Sequence, residues 1–108
     1  MLEISGHKVA QVILMARELG RAEGELRGFL ERLNEEEQTS LVAVMWIGRG
    51  AFEPEDLQEA IRTARAEATT PTADYLLGTP HLSDNLEAGL DALGISPTEE
   101  EDALMGRV

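Results

Sequence analysis

Apolar residues recur along the first third of this chain at the three- and four-residue spacing of a helical face. Ser5, a helix-capping residue type, precedes the first series. The apolar positions are Val9, Val12, Ile13, Ala16 and Leu19, followed by Leu26, Phe29, Leu30 and Leu33. Gly20 and Gly24 separate the two series and weaken a helix. We predict one long helix, bent near Gly20 and ended by Asn34, with two shorter helices as the alternative.

The middle of the chain carries an apolar run that is too continuous for a surface helix. The run is Leu41-Val-Ala-Val-Met-Trp-Ile47, and it ends at Gly48. Apolar residues on nearly every face are typical of a helix enclosed by others. Acidic residues at positions 35 to 37 favour a helix start there, at the positive end of the helix dipole. A buried strand is the competing interpretation, but no second strand is available to pair with it, so we predict a central helix over 38–47.

Three further helical segments follow, each opened by a proline. Pro54 stands at a tolerated first-turn position and opens a helix over 54–68. Its predicted buried stripe consists of Leu57, Ala60, Ile61 and Ala64. Thr70 and Pro71 repeat the cap-and-proline signal and predict a short helix that runs to Gly78.

The junction after this short helix carries the same signal again. Gly78 is predicted to be the left-handed residue that ends one helix, and Thr79 and Pro80 to cap and open the next. The buried face of that helix is predicted to hold Leu82, Leu86, Leu90 and Leu93. Gly89 lies beside this face, where a neighbouring backbone could approach closely, and Gly94 ends the helix.

Together these segments predict an all-α fold, a compact bundle of four or five principal helices around the central apolar helix. A chain of 108 residues is long enough for one core, and 43% of its residues are hydrophobic. We expect residues 1–94 to form a single helical domain. Residues 95–108 are expected to be an acidic C-terminal tail, at most a frayed helix.

The negative charge of the chain argues against some classes of binding partner. The formal net charge is -12, and residues 51–108 hold thirteen acidic side chains against three basic ones. Nucleic acid and anionic membranes need clustered lysine and arginine, so we expect neither as a partner. The chain has no cysteine, no recognisable signal peptide and no apolar run approaching the roughly 20 residues of a membrane span. We expect a cytoplasmic protein.

The best candidate for a polar site is Gly48-Arg49-Gly50. An arginine side chain offers a planar fork of donors that suits carboxylate or phosphate, and flanking glycines permit close backbone approach. The stronger interpretation is structural: the glycines end a helix while Arg49 pairs with Asp56, Asp74 or another acid. Tyr75 is similarly open to both interpretations, since its ring can fill the core while its hydroxyl borders a pocket.

Recognisable catalytic motifs are absent from the sequence, and we predict no catalytic residue, metal site or cofactor. His7 and His81 are the only histidines and lie far apart in the chain. Whether the protein is an enzyme stays open, with a noncatalytic role preferred.

The leading functional hypothesis is a noncatalytic module for protein interaction, with a protein partner or a homo-oligomer as the assembly. The alternative is a small-ligand or enzymatic site around Trp46, Arg49, Tyr75 and His81. A concave pocket holding those four groups would favour the alternative. An exposed apolar helix face, together with a buried and paired Arg49, would favour interaction.

Three stretches also carry a resemblance. They are Trp46-Ile-Gly-Arg-Gly50, Ala73-Asp-Tyr-Leu-Leu-Gly-x-Pro80 and Leu86-Glu-x-Gly-Leu90. In these the chain resembles, over roughly residues 35 to 93, a bacterial family of small proteins classed as a domain of unknown function. The resemblance implies a bacterial, helical domain, and it implies no activity.

Overall fold

A computed structural model describes residues 2–18, 23–67 and 70–95 of the chain. These residues form six α-helices and one 3-10 turn, with no strand among them. The helices are α1 (Gly6–Arg17), α2 (Glu23–Arg32), α3 (Glu35–Gly48), α4 (Leu57–Ala66), α5 (Thr72–Leu77) and α6 (Leu82–Ala92), and the 3-10 turn is Pro54–Asp56. Five helices have ten or more residues and α5 has six, which confirms the predicted all-α bundle.

Helix α3 is the central helix, as predicted. Seven consecutive residues, 39–45, are buried, because α4, α5 and α6 all pack against it. Trp46 is only half-buried and lies where the covering helices leave an opening. The central helix is therefore enclosed along most of its length but not at its C-terminal turn.

Both ends of α3 are stabilised by local hydrogen bonds. At the start, Asn34 and Glu37 form a reciprocal capping box, so Asn34 opens α3 and does not end the preceding helix. At the end, Gly50 adopts a φ of 82°. Its N–H donates to the Ile47 carbonyl at 3.0 Å, and the Ala51 N–H donates to the Trp46 carbonyl at 2.9 Å. This pair of bonds is a Schellman motif, which satisfies the last carbonyls of the helix.

The first third of the chain forms two helices, and the preferred prediction of one long helix is wrong. Ser5 caps α1 as predicted, since its side chain accepts a hydrogen bond from the Lys8 N–H. Helix α1 ends at Arg17, because Glu18 leaves the helical region with φ -101° and ψ 32°. The chain then returns as α2, which packs against α1. Gly20, where the bend was expected, lies outside the described residues.

The apolar stripe of α1 faces the core. Helix α1 packs against α2 and α6, and its buried apolar side chains are Val9, Ala10, Val12, Ile13 and Ala16. This stripe is consequently not available for association with another protein.

Helix α5 ends at Gly78 as predicted, but the backbone conformation and capping of the α5–α6 junction differ from their prediction. Gly78 is right-handed, with φ -85° and ψ 0°. The Thr79 hydroxyl donates backwards to the Tyr75 carbonyl at 2.8 Å and does not cap α6. The left-handed residue is His81, at φ 57° and ψ 36°, and α6 begins after it at Leu82. Pro80 is a turn residue, so the cap-and-proline signal marks a turn here and not a helix start.

Helix α6 closes the bundle against α3. Leu82, Leu86 and Leu90 are buried along one face, as predicted. At its end Gly94 has a φ of 78°, and the Ile95 N–H donates to the Leu90 carbonyl at 2.8 Å, which makes a second Schellman motif. The predicted frayed tail from residue 96 onwards lies outside the described residues. Within the described ranges, no helix has the length and hydropathy needed to cross a membrane.

Candidate functional site

Tyr75 lies at the centre of the predicted site, next to the exposed end of α3. The other three predicted residues, Trp46, Arg49 and His81, lie around it. The Trp46 Nε1–H donates a hydrogen bond to the Tyr75 hydroxyl at 2.9 Å, which ties α3 to α5. The indole also stacks on Phe52, with ring centroids 5.7 Å apart. These contacts fix the Trp46 ring although it is only half-buried.

One cleft opens beside the indole, between α3, α4 and α5; we name it the Trp46 cleft. Its volume is about 200 Å³. Its lining residues are Val42, Trp46, Ala64, Glu67, Thr70, Thr72 and Tyr75. The lining is mixed: three of these residues are apolar, three carry hydroxyl groups, and Glu67 is charged. The cleft can therefore hold an apolar group but disfavours an anion.

A second cleft also has Tyr75 in its lining; we name it the Arg49 cleft. It is wider and more open, with a volume of about 570 Å³. Its lining residues are Arg49, Asp74, Tyr75, Gly78, Thr79, Pro80, His81 and Asn85. Three of the four predicted site residues thus line one cleft, and Trp46 is hydrogen-bonded to the tyrosine that forms its wall.

Arg49 is placed in this cleft by the end of α3. As the residue between the two glycines of the Schellman turn, it is exposed, and its Nη1 lies 3.8 Å from the Met45 sulfur. The predicted pairing with Asp56 or Asp74 is not formed. Among the described residues no carboxylate lies within ion-pairing distance of Arg49, and Asp74 is instead bound by Arg27 at 2.6 Å. The guanidinium of Arg49 therefore keeps donors directed at solvent.

His81 borders the same cleft in a strained conformation. Among the described residues it is the non-glycine residue with a positive φ. A left-handed conformation costs a residue with a Cβ roughly 1–2 kcal/mol. The turn nevertheless holds it there, since the His81 carbonyl accepts the first α6 hydrogen bond from the Asn85 N–H at 3.0 Å. Strained residues of this kind concentrate at functional sites.

The electrostatics of the Arg49 cleft favour a negative ligand. Arg27 neutralises Asp74, which leaves the Arg49 charge locally uncompensated in an otherwise acidic protein. The start of α6 adds a partial positive charge, which Asp84 in its first turn partly offsets. In the described ranges, no group of three or more acidic, histidine or cysteine side chains could hold a metal ion.

Sequence reasoning missed Asn85 and Asp74 as lining residues and did not separate the two clefts. Asn85 lies four residues after His81, so the start of α6 brings it to the same side. The position of Asn85 could be predicted only with the knowledge that His81, and not Thr79, immediately precedes α6. No sequence signal indicated that Arg27 would neutralise Asp74, since the two are 47 positions apart.

Comparison with known proteins gives a family and nothing closer. No curated protein matches the chain. No solved structure matches it either. The family described as protein of unknown function (DUF3775) matches residues 23–95, from the start of α2 to just beyond α6. This match covers more than half of the chain and includes all the residues that line both clefts, and we conclude that the chain belongs to the DUF3775 family.

Proposed function

We propose that this domain is a noncatalytic binding module that holds an anionic group in the Arg49 cleft. The observation that carries the proposal is the state of Arg49. Its guanidinium lies in a concave surface without a carboxylate partner among the described residues. An arginine with a structural role would be expected to donate its hydrogen bonds to a neighbouring carboxylate.

Two further groups can contact the same anion. The Tyr75 oxygen accepts the Trp46 hydrogen bond, so the hydroxyl hydrogen stays available for a ligand. The His81 side chain makes no capping bond and lines the same cleft. A carboxylate or phosphate oxygen held by Arg49 would then meet a second donor from Tyr75. Charge-assisted bonds of this type are about twice as strong as neutral ones.

A binding role is preferred over catalysis because the cleft lacks an oriented acid–base pair. Asp74 is the carboxylate among the lining residues, and its Oδ1 is held by Arg27. General base catalysis by His81 needs a partner that orients the imidazole, and no described carboxylate contacts it. The enzymatic version of the site is therefore not the one we propose.

A small anion fits this protein better than an acidic protein partner. The net charge of -12 repels a large acidic surface, whereas a small ligand meets mainly the local field of Arg49. The hypothesis of a protein-interaction or self-association module is retained as the second candidate. Its support is limited to isolated exposed apolar groups, of which Leu14 is 52% exposed on α1. A cytoplasmic location and a bacterial source, both expected from the sequence, belong to the same proposal.

The test is a titration with acetate and, separately, with inorganic phosphate. Binding is followed by amide and side-chain NMR shifts around Arg49 and His81. Arg49→Gln is expected to weaken binding by about tenfold or more, because a hydrogen bond to a charged group contributes roughly 1.5–3 kcal/mol.

Arg62→Gln is the matched control, since Arg62 is an exposed arginine of α4 outside both clefts. It removes the same global charge and is expected to leave affinity nearly unchanged. Equal losses in the two variants would mean that the anion responds to net charge and not to the cleft. That result would refute the proposal.

A further inference from the structure

We propose that the ligand is a monoanionic carboxylate with a ring attached through a short chain, its carboxylate at Arg49 and its ring in the Trp46 cleft. This inference rests on the proposed function and specifies the ligand class of that site. The first observation is that the two clefts share a lining residue. Tyr75 lines both clefts and is 37% exposed, so a single molecule can lie across its ring and occupy both.

The spacing of the two subsites follows from α3. Trp46 and Arg49 are three positions apart at its C-terminal turn, so they share a side of the helix with Cβ atoms about 5–6 Å apart. On this spacing, a ligand with its ring beside Trp46 and its carboxylate beside Arg49 has a short connecting chain. Longer, flexible lipid chains do not fit, because the Trp46 cleft has a volume of about 200 Å³.

That volume suits one ring. An apolar cavity of about 150 Å³ is sufficient for benzene in other proteins, so about 200 Å³ accommodates a six-membered ring. The apolar contacts come from Val42, Ala64 and the indole of Trp46. The ring would therefore pack mainly on the half-buried indole, because Val42 and Ala64 are buried and expose little surface.

Charge determines which way round the ligand binds. Glu67 borders the Trp46 cleft, where it would repel a carboxylate, whereas Arg49 on the other side attracts one. The same reasoning argues for a single negative charge. A second anionic group in the Trp46 cleft would meet Glu67 and no cation among the lining residues.

The experiment compares three probes on the full chain: acetate, 3-phenylpropionate and 3-phenylpropan-1-ol. We expect 3-phenylpropionate to bind at least about tenfold more tightly than acetate, because only its ring reaches the Trp46 cleft. We expect it to bind at least about tenfold more tightly than the alcohol, which lacks the charge for Arg49. Affinity is measured by calorimetry, and the emission of Trp46, the single tryptophan, reports whether the ring arrives beside the indole.

Ala64→Met tests the position of the ring, since the longer side chain fills the Trp46 cleft. It should remove most of the advantage of 3-phenylpropionate over acetate while leaving acetate affinity unchanged. Should this variant fail to fold by circular dichroism, the three-probe comparison on the unaltered chain decides alone.

The outcomes separate this inference from the proposed function. If acetate and 3-phenylpropionate bind equally and both depend on Arg49, the ring subsite is refuted and the anion site stands. If the alcohol binds as tightly as the acid, the ligand class is refuted. If no carboxylate binds, or if Arg49→Gln changes nothing, both the ligand class and the anion site are refuted.

Discussion

Glu37 shows how one side chain can connect two parts of the chain. Its Oε1 accepts a hydrogen bond from the Asn34 N–H at 3.0 Å within the capping box of α3. Its Oε2 pairs with the Lys8 ammonium on α1. The Lys8 hydrogen bond, followed by the Asn34 backbone hydrogen bond, holds the pKa of Glu37 below the ordinary range of a glutamate. Both contacts favour the charged carboxylate.

This lowered pKa gives a pH-dependent contribution to stability. Because the folded state lowers the pKa, the contribution is fully present above the unfolded value of about 4.3 and is lost as pH falls through the folded value. Glu37→Gln should cost about 1 kcal/mol at pH 7, since Lys8 is 43% exposed and its ion pair is partly screened.

The measurement is urea unfolding of both chains between pH 7 and pH 3. The difference in unfolding free energy should be constant down to about pH 4.5 and should shrink at lower pH. Glu36→Gln is the control, because Glu36 is an exposed acid of the same helical turn. A difference that persists undiminished to pH 3 would contradict the assignment.

At the scale of residues, the sequence predicted the cap of α1 but not the residues that precede α5 and α6. Pro71 and His81 stand at those two positions, without a side-chain capping bond, where Thr70 and Thr79 were predicted. Ser5 caps α1 because its hydroxyl oxygen accepts a hydrogen bond from the Lys8 N–H, the role expected of a serine just before a helix. The left-handed residue before α6 was assigned to Gly78 on propensity, yet it is His81. Propensity describes which residue type adopts a positive φ at the lowest steric cost. The fold decides where one is required.

At the scale of helices, the closest packing in the bundle is between α3 and α6. A Cβ placed on Gly48 would lie 1.7 Å from the Asn85 carbonyl oxygen. A Cβ on Gly89 would lie 2.1 Å from the Val44 carbonyl oxygen. The predicted close approach at Gly89 is thus confirmed. Gly48, predicted as a helix stop, ends α3 and also forms the other half of this contact.

Gly89→Ala should destabilise the protein by about 2 kcal/mol or more, because the methyl group meets backbone that cannot rotate away. Gly28→Ala is the matched control on α2, where the new Cβ would meet only the flexible Arg32 side chain at 3.5 Å. That change should stabilise by about 0.5–1 kcal/mol. Chemical unfolding of both variants checks the prediction. Similar effects of the two substitutions would show that α3 and α6 do not touch as described.

Periodicity predicted the buried faces of the helices but not their breaks. The face of α6 holding Leu86 and Leu90 follows directly from a four-residue spacing. The division into α1 and α2 could not be read in the same way, because both carry apolar series at compatible spacing. What separates them is that α2 folds back onto α1, a tertiary contact that a local pattern does not contain.

At the scale of the whole molecule, the core extends beyond the segment that matches the family. The matched residues are 23–95, whereas α1 spans Gly6–Arg17. Helix α1 nonetheless buries its apolar stripe against α2 and α6, and Arg17 pairs with Glu87 at 2.9 Å. Both clefts lie within the matched segment, so α1 supports the site without contributing to its lining.

Because the net charge is -12, mild acidification should not lower the stability of the folded protein. Protonation relieves mutual repulsion among the acidic side chains, of which residues 51–108 hold thirteen. We expect the free energy of unfolding to be unchanged or slightly higher at pH 5 than at pH 7. Thermal unfolding at pH 7, 6 and 5 measures this. A steep loss of stability between about pH 6 and pH 4.5 would indicate that paired carboxylates outweigh repulsion.

The fold class was predictable from the sequence to a greater extent than the site. Helical patterns are local, and the central position of α3 follows from its continuous apolar run. The arrangement of Arg49, Tyr75 and His81 depends on a Schellman turn, a hydrogen bond and a strained turn from different parts of the chain. Their ligand-binding role stays a prediction, because geometry places side chains together without identifying what they hold.

Because His81 is left-handed, selection for stability and selection for ligand binding should favour different residues at position 81. A selection for thermal stability alone would enrich glycine there, because glycine adopts a φ of 57° without the steric cost of a Cβ. A selection for retention of the proposed ligand would keep an imidazole that can face an anion. Libraries that sample position 81 should therefore diverge in sequence according to which property is selected.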